Sequence, residues 1–389
     1  MRLRVRLLLD FYVGGALHAM LKIPTILLGK LMRRDHDLTS CREIAIMKLL
    51  GGGSLVIAYP ALLALKKLPH VRKLTLVTTP AIKPFGDTLG IFDEIVVIRE
   101  DSFPHLGMDS LGAIRRLFRC DAIVDLEIHS RLTTVFSLLT CARNRVGFFT
   151  NISFWRRGIS THLLFCNVTN GIYYFYDQVA EIFGAAPVSE QECTETFRKH
   201  LNARVAAGDQ THLAIAPTCS GLSSERMLAP AEWVDILGKR LLKFPDQVVQ
   251  VHLLGGPSDE PALDGLRDLF LKHLGTRIEV VNHAGKTKLD ESVRLLSAMT
   301  EVLCIDSALL HFSRLLGMHT ISYWGPTDPR VLARPRANGS LDEIHHGKLP
   351  CSPCIHISQQ PPCKGKNICM RLAADPSAAV PLNPPWVLQ

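Results

Sequence analysis

From residue 40 onward, short apolar runs alternate with glycine turns and amphipathic stretches. EIAIMKLL at 43–50 is rich in strand formers, and GGGS at 51–54 follows it. An apolar-faced helix is expected from Leu55 to Lys67, with Pro60 inside it. KLTLVTT (73–79), EIVVI (94–98), DAIVDLEI (121–128) and RVGF (145–148) read as further strands, with helices near 80–89 and 109–119. Strands that alternate with helices imply parallel sheets joined by right-handed crossovers.

Residues 186–210 are polar, rich in Glu, Thr, Ala and Gly, and are expected to link two halves. The alternation then restarts with HLAIAP (212–217), QVVQVHLLGG (247–256), RIEVVN (277–282), EVLCID (301–306) and HTISYWG (319–325). Helices are expected between them near 230–243, 260–273, 289–298 and 307–316. The fold class is therefore α/β, with two doubly wound domains at 41–190 and 205–340. Residues 1–40 precede them, a cysteine-rich knuckle at 345–372 follows, and 373–389 form a tail.

Composition narrows the function classes. Of 389 residues, 47% are hydrophobic and 21% charged, enough for a sizeable core and incompatible with a mainly disordered chain. No uninterrupted apolar run reaches the ~20 residues of a membrane-spanning helix, which argues against a polytopic membrane protein. The net charge of +8 suits an anionic partner: a membrane surface, a nucleotide or a phosphorylated glycan. Half of that excess lies in residues 1–40, where Arg2, Arg4, Arg6, Lys22, Lys30, Arg33 and Arg34 face only Asp10, Asp35 and Asp37. With Leu, Ile and Met between the charges, this segment reads as one that lies on a membrane surface, kinked near Pro24. A helix packed on the body and a cleaved signal peptide are the alternatives; Asp10 interrupts the apolar stretch a signal peptide needs. Basic residues do not alternate with aromatics and no recognition motif appears, so nucleic acid is not an expected partner.

Cysteine usage falls into two groups. Seven are scattered and read as mostly buried, inert thiols. Cys351, Cys354, Cys363 and Cys369 cluster in an irregular, proline-containing segment. Four thiolates suit tetrahedral zinc or a single iron, with His345, His346 and His356 as alternative ligands; free or redox-labile thiols are the other reading. The odd total of 11 favours a reducing compartment.

In such sheets ligands bind at the carboxyl ends of the strands. Four strand ends carry suitable residues. Gly51-Gly52-Gly53-Ser54 lets backbone approach a ligand, although a tight turn explains it equally well. Thr218-Cys219-Ser220-Gly221, followed by Ser223, Ser224 and Arg226, offers hydroxyls and a cation to a diphosphate. Gly255-Gly256-Pro257-Ser258-Asp259-Glu260 offers carboxylates to ribose hydroxyls, while helix capping alone would account for Asp259. Asp306-Ser307-Ala308 ends a buried strand and starts a helix, with His311 one turn on.

Together these motifs resemble glycosyltransferase family 9, the ADP-heptose:lipopolysaccharide heptosyltransferases. The resemblance spans roughly 43–370 and is carried by the glycine turn before LVIAYPALLALKK, then DLEIHSR, RNRVGF, LLGGPSDE, DSALLHFSRLLG, YWGPTDP and the CSPC…CM ending. It implies the GT-B architecture, two Rossmann-like domains facing a cleft, and an inverting transferase that requires no metal for catalysis. It places the nucleotide-sugar donor against Thr218, Arg226, Ser307, Ala308 and His311, the ribose against Glu260 and the donor sugar against Asp306. It places the acceptor on the N-terminal side, near Gly52, Gly53, Ser54 and Arg131. A lipid-linked glycan at the cytoplasmic face of the inner membrane is the implied acceptor. A protein acceptor, and a silent protein that only binds nucleotide sugar or glycan, are the alternatives. Some protein-modifying relatives carry an iron-binding cysteine finger.

One position departs from the family. Ser54 stands where the usual base aspartate is expected, and serine cannot act as a base at neutral pH without an activator. Asp125 and Glu127, which end a strand on the same domain, are the candidate replacements. Arg226 is expected to stabilise the leaving diphosphate.

Overall fold

The computed structural model describes residues 3–32, 35–204, 210–219, 224–355, 361, 363 and 365–378. The chain divides into two compact units, Met1–Ser189 and Glu190–Gln389. The first holds β1 (Glu43–Met47), β2 (Lys73–Thr78), β3 (Glu94–Val97), β4 (Ala122–Asp125), β5 (Asn144–Phe149) and β6 (His162–Phe165). The second holds β7 (His212–Ala216), β8 (Val249–Leu253), β9 (Ile278–Asn282), β10 (Glu301–Ile305), β11 (Thr320–Trp324) and β12 (Asp342–His346).

The two sheets share one topology. The first runs β3-β2-β1-β4-β5-β6 and the second β9-β8-β7-β10-β11-β12, and adjacent strands are parallel throughout. This is the Rossmann order, in which the winding direction reverses beside the first strand of each unit. The reversal pairs Met47 of β1 with Asp125 of β4, and Ala216 of β7 with Cys304 of β10. In sheets of this order, ligands bind outside the carboxyl ends of such a pair. The strands read as continuous apolar runs because helices cover both sheet faces. Ile44, Ala45, Ile46 and Met47 are all buried, as are Leu213, Ala214, Ile215 and Ala216. Each large apolar side chain buried this way contributes roughly 1.5–3 kcal/mol.

Several elements differ from the sequence expectation. The helix at 55–67 is two helices, Gly52–Ile57 and Tyr59–Lys66, with the break at Ala58. Pro60 falls in the first turn of the second, where its missing N–H costs nothing. The helix near 109–119 begins earlier, as Phe103–Arg116, because the Ser102 hydroxyl accepts from the His105 N–H. β6, β12 and the helices Arg131–Leu139, Ile172–Ile182 and Ile368–Ala374 were not anticipated.

The region expected to link the halves holds a helix, Glu190–Leu201. It buries Cys193, Phe197 and Leu201, and Phe197 stacks on Phe312 with centroids 5.9 Å apart, so it is part of the second unit. The cysteine-rich segment is likewise no separate knuckle. His345 and His346 end edge strand β12, and Ile368–Ala374 buries Cys369, Met370 and Ala373 in the second unit's core. Of the expected tail, residues 379–389 lie outside the described residues, as do Arg2, Arg33 and Arg34.

Before β1 the chain runs as helix Leu3–Leu9, a π-helical turn Asp10–Gly14 and helix Gly15–Met32. Val5–Met32 is continuous for 28 residues and contains an 18-residue stretch of high mean hydropathy. As expected, no uninterrupted apolar run reaches spanning length, since Asp10, Lys22 and Lys30 break the run, but they do not break the helix. By length and composition it is apolar enough to cross a membrane, a property that signal segments and core helices share.

Candidate functional site

In the first unit, the chain leaves β1 through Lys48, Leu49 and Leu50. It then turns at Gly51, whose left-handed φ of 77° opens helix Gly52–Ile57. Gly52 is tied to packing: a Cβ there would lie 2.4 Å from the Phe85 ring. Beyond β4, Glu127 folds back over the same loop. Its Oε1 accepts from Lys48 Nζ at 3.2 Å, Leu49 N–H at 2.8 Å and Leu50 N–H at 3.0 Å.

The two carboxylates on this loop have different surroundings. Asp125 is buried, and its Oδ2 accepts from Thr133 Oγ1 at 2.8 Å and Arg156 Nη2 at 3.0 Å. Its Oδ1 takes the Glu127 N–H at 3.0 Å. Asp125 therefore shapes the loop from below. Fully buried Arg156 also donates to the Glu127 carbonyl, which fixes the backbone from which the Glu127 side chain projects. The Glu127 side chain keeps 15% of its surface in solvent.

Lys48 carries the loop's positive charge. Burial works to discharge it, but Glu127, Tyr176 and Asp125 outweigh that and hold its pKa above the ordinary lysine value. Buried Tyr176, from helix Ile172–Ile182, closes the group. Desolvation pushes its phenol up, against the Lys48 charge and a hydrogen bond with Ser54. The Ser54 hydroxyl donates to the Gly51 carbonyl at 2.7 Å, so its proton is engaged locally. Arg131 starts helix Arg131–Leu139 on the side facing the N-terminal helix. Its guanidinium donates to the Phe11 carbonyl at 3.0 Å and lies 4.6 Å from the Phe11 ring centre.

In the second unit, the residues flanking β7 and β10 converge. Arg226 Nη1 donates to the Asp306 carbonyl at 2.8 Å and stands 3.4 Å from Asp306 Oδ2. His311 Nε2 stands 3.5 Å from Asp306 Oδ1. Burial works to protonate Asp306, but the bond from His311 and the charges of His311 and Arg226 win and hold its carboxyl below the ordinary range. Ser307 is the N-cap of helix Ala308–Leu315, yet its side chain caps nothing. Its Oγ is buried without a hydrogen-bond partner among the described residues, at a helix start whose N–H groups favour an anion.

The remaining donor-side residues are placed less directly. Thr218 donates its hydroxyl to Asp259 Oδ2 at 2.9 Å, and the same oxygen accepts the Gly256 N–H at 2.8 Å. Asp259 thus ties the turn after β7 to the turn after β8. Glu260 follows on the surface, 3.6 Å from Lys286 Nζ. Ser220, Gly221 and Ser223 of the second motif lie outside the described residues.

The cysteine cluster is a separate feature. Cys351, Cys354, Cys363 and Cys369 line one cavity of about 10 Å³, room for a single water-sized body. Burial, with the neighbouring thiols, pushes Cys369 up to about 12. The thiols and the size of the space suit one ion, but no three ligand-type side chains among the described residues stand in ligating geometry. Among the described residues, the expected metal site is therefore not assembled. His345 bonds Glu343 at 3.1 Å and stacks on Tyr323, and His356 lies outside the described residues.

The structure thus brings Lys48, Ser54, Asp125 and Glu127 together outside β1 and β4, and Arg226, Asp306, Ser307 and His311 together outside β7 and β10. Lys48, Arg156 and Tyr176 were missed. A lone lysine ending an otherwise apolar strand was the available signal for Lys48; nothing local marked the other two.

Comparison with known proteins bears on both units. Residues 176–364 match the family model of glycosyltransferase family 9 (heptosyltransferase). Over 99 residues the chain is 38% identical to lipooligosaccharide heptosyltransferase 2 of Haemophilus influenzae, covering 25% of this chain and 28% of that protein. The match therefore spans only about a quarter of that relative's length. The fold is similar to a family 9 glycosyltransferase from Veillonella parvula (TM-score 0.61, 14% identity, 80% of this chain and 87% of that one). It is also similar to the E. coli ADP-heptose lps heptosyltransferase II (0.58, 15%, 85% and 98%) and to E. coli heptosyltransferase WaaC with ADP (0.62, 14%, 78% and 92%).

Proposed function

Given that its residues 176–364 carry the pattern of glycosyltransferase family 9, we propose that this chain is an inverting heptosyltransferase. Its donor would be ADP-heptose and its acceptor a lipopolysaccharide-core or other lipid-linked glycan. The observation that carries this reading is the group at the β7–β10 switch point. There Arg226, buried Asp306 and the Ser307 hydroxyl, unpartnered among the described residues, surround a helix start. A nucleoside diphosphate has the charge and oxygens such a group accepts.

In this reading the donor lies against the second unit and the acceptor against the first. The acceptor hydroxyl attacks the anomeric carbon as the bond to the diphosphate oxygen breaks, inverting that carbon. The leaving diphosphate gains charge, which Arg226 and the first-turn N–H groups stabilise. The hydroxyl proton passes to Glu127. Its Oε1 is held by three donors, which leaves Oε2 for the acceptor. Lys48 holds that carboxylate in place through its bond to Oε1. Asp125 acts from beneath as a positioning group, and Ser54, whose proton is committed to Gly51, is not the base.

The test is transfer itself. ADP-heptose and a heptose-deficient lipid-linked core should give ADP and a glycan heavier by one heptose, with the anomeric configuration inverted. ADP release without a heavier glycan, or neither product, would contradict the assignment.

A further inference from the structure

The N-terminal helix has two faces of opposite character. One face docks on the first unit at four-residue intervals. Arg6 pairs with Glu100. Asp10 accepts from Ser130 Oγ at 2.6 Å, Leu132 N–H at 2.9 Å and Arg131 N–H at 3.0 Å, capping helix Arg131–Leu139 in trans. At Gly14 the backbones approach so closely that a Cβ would lie 3.0 Å from Arg131 Cβ. His18 is buried edge-on against Trp155, with centroids 5.4 Å apart. Ile26 lies against Gly158, where an added Cβ would come within 2.8 Å of Ile26 Cδ1.

The opposite face is apolar and uncovered. Leu8, Tyr12, Met20, Ile23, Leu27 and Leu31 follow helical spacing and are 56–80% exposed. The loop that receives the helix at Trp155 and Gly158 adds Ile152 and Phe154, also exposed. A contiguous apolar surface of this kind marks an interaction site. Lys30 is the basic residue beside it on the helix, whereas Lys22 packs toward Gly158 on the docked face; Arg33 and Arg34 follow in the sequence.

We infer that this face lies in the plane of an anionic lipid bilayer, with its apolar side chains in the headgroup–acyl boundary and its basic residues on lipid phosphates. Two observations favour this occupant. The contacts from Arg6 to Ile26 hold the helix along the unit, so it cannot also cross the bilayer. A second copy would bring like basic charge against like, whereas an anionic surface complements it. The inference is independent of the sugar chemistry proposed above.

The experiment is flotation of the full chain with vesicles of phosphatidylglycerol and phosphatidylcholine, against phosphatidylcholine alone. Binding to the anionic vesicles should weaken as salt rises. A Leu27→Glu/Leu31→Glu variant, shown by its thermal melt to be folded, should lose about tenfold or more in partitioning. Carbonate at pH ~11 should release the chain from cell membranes, as expected for an interfacial rather than spanning helix. The inference is overturned if the chain ignores anionic vesicles, if the double variant binds them equally, or if carbonate fails to release it. A dimer that the double variant dissolves, with no vesicle binding, overturns it in favour of a second copy.

Discussion

Lys48 Nζ donates to Glu127 Oε1 at 3.2 Å, joining the residue after β1 to the loop after β4 across the point where the first sheet reverses its winding. Met47 and Asp125 are ladder partners, so Lys48, directly after β1, and Glu127, two residues past β4, are brought to the same end of the sheet. The pair is mostly buried and shares its carboxylate oxygen with two backbone N–H groups. The loop is thus built before any acceptor arrives.

Glu127→Gln keeps the shape and the backbone bonds but removes the basic oxygen. Turnover should fall about 10²–10⁴-fold, the range for losing a general base. ADP affinity should stay within about twofold, since Glu127 touches no donor residue in this account. Steady-state rates and calorimetry on the same preparation separate the two effects.

Lys48→Met leaves the Glu127 charge with only backbone partners in a partly dry site. Breaking a buried pair from one side costs about 3–5 kcal/mol, and the backbone bonds should keep this case near the lower end. The double variant Lys48→Met/Glu127→Gln should recover part of the loss, because no charge is then stranded. Urea unfolding of the four proteins in this cycle checks the sign and size of the coupling.

Asp10→Ala removes the acceptor that caps helix Arg131–Leu139. A lost cap costs about 0.5–2 kcal/mol, and here it also loosens the N-terminal helix from the unit. Limited proteolysis should cut between residues 10 and 32 faster in the variant, while ADP binding is unchanged.

His212, His252 and His283 form a hydrogen-bonded file across β7, β8 and the end of β9, with Nδ1 to Nε2 distances of 3.1 and 3.0 Å. Burial, reinforced by both neighbours, pulls His252 down to about 4, and His283 is also lowered. Below the ordinary histidine value the unfolded chain takes up protons that the folded one refuses. Stability is then full above pH ~6.5 and falls as pH drops from there toward 4, at up to about 1.4 kcal/mol per pH unit for His252. Melting temperature should drop between pH 7 and 5, and His252→Gln should flatten that drop.

Much of the fold could be read from the chain because buried parallel strands announce themselves as apolar runs, as EIAIM and EVLCI do. The missed elements are those whose burial depends on distant partners. Among the described residues HLLF at 162–165 pairs with β5 alone, and DEIHH at 342–346 is a polar edge strand beside β11. Glu190–Leu201 is polar on most sides, and only its Cys193, Phe197 and Leu201 stripe faces the core. At the site, strand-end carboxylates and the Asp306–Ser307 turn were visible as motifs. The separation of roles was not, since Asp125 and Glu127 look alike until Arg156 and Thr133 are brought beneath one of them by the fold.

The most direct test of the central claim is calorimetric titration of the purified chain with ADP, UDP and GDP, followed by ADP-heptose. The account predicts selective ADP binding, about tenfold or more weaker in Arg226→Gln because a charge-assisted contact is lost, and weakened or lost in Glu260→Ala. Absence of binding to any of these nucleotides, or equal binding in the Arg226 variant, would contradict it.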